Sequence, residues 1–155
     1  MRIRLIAIGT RMPDWVTAGY EDYAARLPRE LKLELVELPV EHRGKNADIP
    51  RLREAEGERL LKAAGESRII AFDEHGVQPD TTGWSKALKG WMQDGRDIAL
   101  LIGGPDGHAP AVLAKAEAKW SLAKITFPHA LVRVIVAEQL YRAWSLLNNH
   151  PYHRA

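Results

Sequence analysis

The sequence contains no cysteine. One absence thereby removes three possibilities: a disulfide framework, a thiolate zinc site and a cysteine nucleophile. Long apolar runs are missing as well. IIAF and IALLIGG fall far short of the roughly 20 residues a membrane-spanning helix requires. The opening MRIRLIAIGT is too short and too strand-like for a secretory signal. Charge of one sign is scarce, with 22 Lys+Arg against 20 Asp+Glu and a net charge of +2. A domain that clamps nucleic acid by charge alone is more basic than this. Any RNA binding must rest on a local patch, on shape, or on two subunits combining their charge. Neither GxGxxG nor GxxxxGK[ST] occurs, so phosphate cradling of either kind has no support. The expectation is a soluble, cytoplasmic protein without a membrane or DNA partner.

What is present is one domain's worth of chain. The 155 residues are enough to bury a core without disulfides or a structural metal. Ile3 to Ile8 form a near-continuous apolar run ending at Gly9-Thr10, which reads as a buried strand. Pro13 then opens a helix that turns Trp15, Val16, Tyr20, Tyr23, Ala24 and Leu27 inward and stops at Pro28. Leu31 to Leu38 predicts a second strand. Asp48 is placed to cap a helix over 49–64, with Gly65 as its stop. A strand over 68–73 follows, then a helix capped by Thr81-Thr82 and ended by Asp94-Gly95. The run 98–102 is the most strand-like of all. A helix from Pro110 to about Ala118, a strand or strand-like loop over 120–125, and a long helix over 129–147 complete the chain. Strands alternate with helices throughout. The fold class is therefore α/β, with a mainly parallel sheet flanked by helices in a single domain, 1–155.

Open parallel sheets bind ligands beyond the carboxyl ends of their strands. Three such ends carry suggestive residues: Phe72-Asp73-Glu74-His75-Gly76, Ile102-Gly103-Gly104-Pro105-Asp106-Gly107, and Leu122-Ala123-Lys124-Ile125-Thr126-Phe127-Pro128-His129. Gly103 and Gly104 lack a Cβ, which would let a flat ligand approach the backbone; a plain strand-to-helix turn explains them equally. Phe127 precedes proline and is biased toward extended backbone. Its neighbourhood needs hydrogen-bond partners other than a helix ladder, from a base-like ligand or from an adjacent strand. In the last helix Val132, Val136, Leu140, Ala143 and Leu147 form a buried face. Glu138 and Arg142 stand at i,i+4 on the neighbouring stripe, either as a surface ion pair or as part of an interface. The terminal Tyr152-His153-Arg154 is rich in groups that stack on bases, hold phosphate and move protons. His150 and His153 alone are a weak metal signal.

Taken together, the 102–107 turn, the Thr126-Phe127-Pro128-His129 segment, Leu131-Val132-Arg133-Val134, Glu138-Gln139-Leu140-Tyr141-Arg142-Ala143 and the terminal Tyr152-His153-Arg154 resemble one family. It is the ribosomal large-subunit pseudouridine N3-methyltransferases of the SPOUT superfamily. Ala7-Ile8-Gly9-Thr10 and Arg43-Gly44-Lys45-Asn46-Ala47-Asp48 extend the resemblance over essentially the whole chain, with Phe72 standing where a leucine is expected. The resemblance implies a C-terminal deep trefoil knot, an exception to the un-knotted rule. It implies S-adenosylmethionine as cofactor, held by Phe72, Gly103, Leu122, Ala123, Lys124, Ile125, Thr126 and Phe127. It further implies a homodimer with composite active sites, and a pseudouridine in 23S rRNA of the assembled ribosome as substrate.

An imino nitrogen is a poor nucleophile until its proton leaves, so such an enzyme must align the reactants and assist deprotonation. His129 and His153 suit proton transfer, Arg142 and Arg154 suit phosphate or a base carbonyl, and Tyr152 suits stacking. No metal is required. Two other classes compete: a metal-dependent hydrolase built on Asp73, Glu74, His75, Asp106 and His108, and a ribosome-binding module without catalysis.

Overall fold

The computed structural model describes residues 1–154. β1 (Arg2–Ile8) is followed by α1 (Asp14–Ala24), β2 (Lys32–Leu38), α2 (Ile49–Ala64), β3 (Arg68–Val77), α3 (Thr81–Asp94), β4 (Ile98–Ile102), α4 (Pro110–Lys115), β5 (Ala118–Trp120) and α5 (His129–Leu147). The strands form one sheet in the order β2-β1-β4-β3-β5, and every pairing is parallel. Among the described residues no helix is long and apolar enough to cross a membrane.

A parallel sheet covered on both faces buries both sides of its strands, so they are written as continuous apolar runs. β4 shows this fully, with all five residues buried. β1 sends Ile3, Leu5 and Ala7 into a core with Tyr20, Trp84, Leu88, Val136 and Leu140. Its alternate residues Ile6 and Ile8 enter a second core with Leu60, Ala64 and Val112. Helices α1, α3 and α5 therefore cover one face, and α2 and α4 the other. Crossover hand explains the division. The β1–β2 and β3–β4 connections step one way along the sheet, and β2–β3 and β4–β5 step the other way. A single hand then places α1 and α3 on one face and α2 and α4 on the opposite one.

Most local signals act as the sequence predicts, with exceptions that have physical reasons. Asp48 accepts from the Arg51 amide, and Gly65 ends α2 at φ +56°. α3 is capped by Asp80, whose carboxylate accepts from the Gly83 amide at 2.7 Å, rather than by Thr81-Thr82. The Thr81 hydroxyl turns to Gln139 instead, at 3.1 Å. Trp15, expected inward, is 59% exposed, and Val16 and Tyr20 fill the buried side of α1. α4 ends at Lys115 because β5 begins at Ala118, and β5 is over by Trp120.

β3 is irregular where it meets β5. Phe72 and Val77 both pair with Trp120, so the residues between them bulge from the ladder at the carboxyl end of the sheet. Gly76 makes this possible. A Cβ there would stand 2.6 Å from the Lys119 carbonyl oxygen and 2.8 Å from the Trp120 carbonyl carbon, both backbone atoms that cannot swing aside. Gly76→Ala is therefore expected to destabilise the fold by about 1–3 kcal/mol, measured as a shift in urea midpoint at constant slope.

Candidate active site

At the carboxyl ends of β3, β4 and β5 lies a cleft of about 900 Å³, a volume typical of small-ligand sites. Phe72 to His75, Ile102 to His108, Ser121 to Phe127, and His129 form most of its wall. The structure thus brings together all the residues expected to hold a cofactor: Phe72, Gly103, Leu122, Ala123, Lys124, Ile125, Thr126 and Phe127. His129 joins them.

The link from β5 to α5 has an unusual backbone. Its entry is pinned by Ser121, whose amide donates to the Val77 carbonyl at 2.8 Å and whose hydroxyl donates to the Ala123 carbonyl at 3.0 Å. Its exit is fixed by Pro128 at φ −55°, directly before α5. Between them, Leu122 to Phe127 make no backbone–backbone hydrogen bond among the described residues. Lys124, Ile125 and Thr126 are exposed and solvated, whereas Leu122, Ala123 and Phe127 are half-buried. Half-buried amides and carbonyls require partners, and a ligand with a hydrogen-bonding edge supplies them. Of the two readings the sequence left open, pairing to a neighbouring strand is not what the chain does here.

Of the two readings of the glycine pair, the tight turn is the one the geometry bears out. A Cβ on Gly103 would stand 2.9 Å from the carbonyl carbon of Gly107, and one on Gly104 would stand 2.8 Å from Glu56 Oε1. The turn folds tightly on itself, with the Gly107 amide donating to Gly104 at 3.0 Å. The missing Cβ atoms make room for the protein's own turn and for Glu56.

Glu56 is a residue that sequence reasoning missed as functional. It is 2% exposed, on the inner face of α2. Its carboxylate accepts from Arg43 Nη1 at 2.6 Å, Arg43 Nη2 at 3.0 Å and the Glu41 amide at 2.9 Å. Arg43 Nη2 also donates to Asp106 at 3.0 Å. One guanidinium therefore ties the polar loop before α2 to the cleft turn, and these hydrogen bonds hold Arg43 firmly charged. The available signal was a carboxylate beside Gly57 on the covered side of an amphipathic helix. Removing one partner of a buried pair costs about 3–5 kcal/mol. Arg43 keeps some solvent access, so Arg43→Met is expected at the lower end. Glu56→Gln in the same background should recover part of the loss, read by urea unfolding.

His129 Nε2 bonds the Gly103 carbonyl oxygen. A carbonyl only accepts, so Nε2 carries the proton and the Nδ1 lone pair is left available. Four residues on, Arg133 is wholly buried; it donates to Glu37 and, at 2.7 Å, to the Gly9 carbonyl. Arg133 was legible only as a charge interrupting an apolar run.

The remaining predicted residues lie elsewhere. His129 and Arg142 are 13 residues apart on one helix, about 20 Å along its axis. Arg142 bonds Glu138 at 2.7 Å and lies over the Tyr152 ring at 4.9 Å. The Tyr152 hydroxyl donates to Glu138 at 3.1 Å, and its ring packs 4.6 Å from Tyr141. Burial pushes the Tyr152 hydroxyl up to about 12. His153 is half-buried and Arg154 is exposed. A single chain does not bring these four to His129.

The residues of the hydrolase alternative share the cleft wall without converging on a metal position. Asp106 is held by Arg43, and the buried His108 ring bonds the Leu101 carbonyl at 3.1 Å. Among the described residues no group of three or more His, Asp or Glu is arranged to hold a metal. Burial lowers the His108 pKa from its ordinary value. Its neutral form therefore contributes stability that is present above about pH 6.5 and lost as pH falls through the folded value. His108→Leu is expected to flatten the decline of Tm between pH 7 and pH 5.

A family model described as "Predicted SPOUT methyltransferase" matches residues 1–153. A protein of Alkalilimnicola ehrlichii named ribosomal RNA large subunit methyltransferase H is 57% identical over 155 residues, covering 100% of both chains. A crystal structure from Bacillus anthracis, described as a candidate RNA methyltransferase, superposes with TM-score 0.50 at 13% identity, covering 99% of this chain and 98% of its own. At that identity the superposition speaks for the fold alone.

Proposed function

This chain belongs to the SPOUT methyltransferase family, and from that premise we propose that it methylates N3 of a pseudouridine in a 23S rRNA stem-loop of the assembled ribosome, using S-adenosylmethionine. The observation that carries the reading is the link Leu122 to Phe127, with its backbone unpaired along the wall of a cleft at parallel strand ends. The full-length relative at 57% identity is named for large-subunit rRNA methylation, which supports the substrate class.

The cleft fits the cofactor chemically. Unpaired amides at Leu122, Ala123 and Phe127, with the carbonyls of Leu122 and Phe127, suit a purine edge. Asp73 and Glu74 stand on the same wall as Arg53 and Lys124, partners for the cationic and carboxylate ends of a zwitterionic ligand. Bound there, S-adenosylmethionine supplies an activated methyl group on a sulfonium. His129, with Nε2 committed to Gly103, offers Nδ1 to take the proton that leaves the base nitrogen. Arg142 and Arg154 hold phosphate or a base carbonyl, Tyr152 stacks, and His153 is a second proton carrier.

These groups act on one substrate only if a second copy supplies the tail, because the length of α5 separates Arg142 from His129. The reading therefore includes a homodimer with composite sites. It also includes the deep C-terminal knot. Its support is that the link leaves β5 at the sheet edge, while α5 begins against Gly103 and Gly9, at the ends of β4 and β1. A cytoplasmic location follows from the substrate.

Calorimetry is expected to detect S-adenosylmethionine binding, and ribosomes with pseudouridine at the target should accept methyl groups faster than those with uridine. Absence of cofactor binding by the intact protein would sink the reading. His129→Ala and Arg154→Ala are each expected to lose activity. Mixing the two after subunit exchange should restore about a quarter of it, since half the dimers are mixed and one of their two sites is intact. No recovery on mixing would place all catalytic groups in one chain.

A further inference from the structure

A second cleft, of about 520 Å³, adjoins the first and shares Pro105 and His129 with it. Its other walls come from the end of β1 and the loop after it, Ile8 to Met12, and from Pro39 and Val40 after β2. We propose that this cleft receives the target base, a flat pyrimidine-type heterocycle turned out of its RNA strand; the proposal rests on the methyltransferase reading of the first cleft.

The position of His129 comes first. One ring nitrogen bonds Gly103, in the wall of the first cleft. The ring carbon between its two nitrogens faces Gly9, in the wall of the second; a Cβ on Gly9 would stand 3.7 Å from it. The same Cβ would meet Arg133 Nη2 at 3.3 Å and Met12 Cε at 3.5 Å, and Gly9 holds φ +131°. Only glycine keeps this wall open. A base seated here and a cofactor in the first cleft would meet at His129, whose free nitrogen is the proton acceptor the chemistry needs.

The lining suits an aromatic heterocycle. Met12, Pro39, Val40 and Pro105 offer apolar surface of the kind that packs against the faces of a flipped base. Polar groups sit at the mouth. Thr10 and Arg11 are exposed, and Arg11 holds φ +57°, a region non-glycine residues rarely occupy. Charge favours a nucleic acid over a second protein surface. Arg11 lines the cleft, no carboxylate is among its described lining residues, and behind Gly9 the buried Arg133 is paired to Glu37. A cleft of about 520 Å³ is in the range of small-ligand sites. Drawing the base out of its strand costs a few kcal/mol, least for a base in a loop.

The test uses the full chain and ribosomes. Val40 is 42% exposed, so Val40→Trp fills the cleft without disturbing the core. It is expected to keep cofactor affinity and oligomeric state while single-turnover methyl transfer falls about 100-fold. Arg11→Ala is expected to raise KM for ribosomes about tenfold, with a shallower salt dependence and little change in kcat. Wild-type turnover by Val40→Trp would overturn the proposal and leave the methyltransferase reading standing. Loss of cofactor affinity in Val40→Trp would show the clefts are not separate, and a changed oligomeric state would assign the second cleft to another copy; either outcome overturns it. Failure of the wild-type chain to bind cofactor or methylate ribosomes removes both readings.

Discussion

The link between β5 and α5 is the constraint on which the site depends. β5 is the edge strand beside β3, yet α5 must begin where His129 reaches Gly103 and Arg133 reaches Gly9, at the ends of β4 and β1. Strand spacing makes that a traverse of about 10–15 Å across the sheet, over the few residues from Ser121 to Pro128. A segment running across strand ends cannot join a ladder, so its amides and carbonyls go unpaired. The same traverse that brings α5 back to the face of α1 and α3 thus creates a row of free hydrogen-bonding groups at a cleft.

Around that link the protein is held by polar contacts of long sequence range. Arg43 joins Glu56 to Asp106 and fixes the Gly103–Gly107 turn from behind. Arg133 joins β1 and β2 to α5. Buried pairs of this kind contribute little net stability against apolar replacements of equal volume. What they fix is register, since a guanidinium with several partners in set directions allows one arrangement of the loops it ties. Rigid walls matter for a transfer reaction, where small misplacements of the reactants are expensive.

The tail illustrates how a site can be divided by geometry. Tyr152 and Arg142 share Glu138 midway along α5, while His129 stands at its first position. In the proposed homodimer a small domain with modest net charge would gain both a complete set of groups and a larger positive surface. The composition alone had already required one of three sources for RNA affinity, and two subunits combining their charge was among them.

The sequence by itself determined the layers. Continuous apolar runs at β1 and β4 require a sheet covered on both faces, Asp48 and Gly65 bound α2, and the residues before Pro128 must be extended; each is a local property of a few neighbouring side chains. It also pointed to the wall of the cleft, because parallel strand ends collect ligands whatever the fold's details. Tertiary structure alone decided which polar groups are interior. Nothing near Arg133 in sequence says that the Gly9 carbonyl, 124 positions away, will accept its hydrogen bond, and nothing near Gly104 says that Glu56 will occupy the space its missing side chain leaves. It alone decided that Trp15 faces out, that Asp80 outcompetes Thr81 as a cap, and that the tail folds back onto the middle of α5, apart from His129. Those outcomes depend on which distant segments meet, and local spacing carries no information about that.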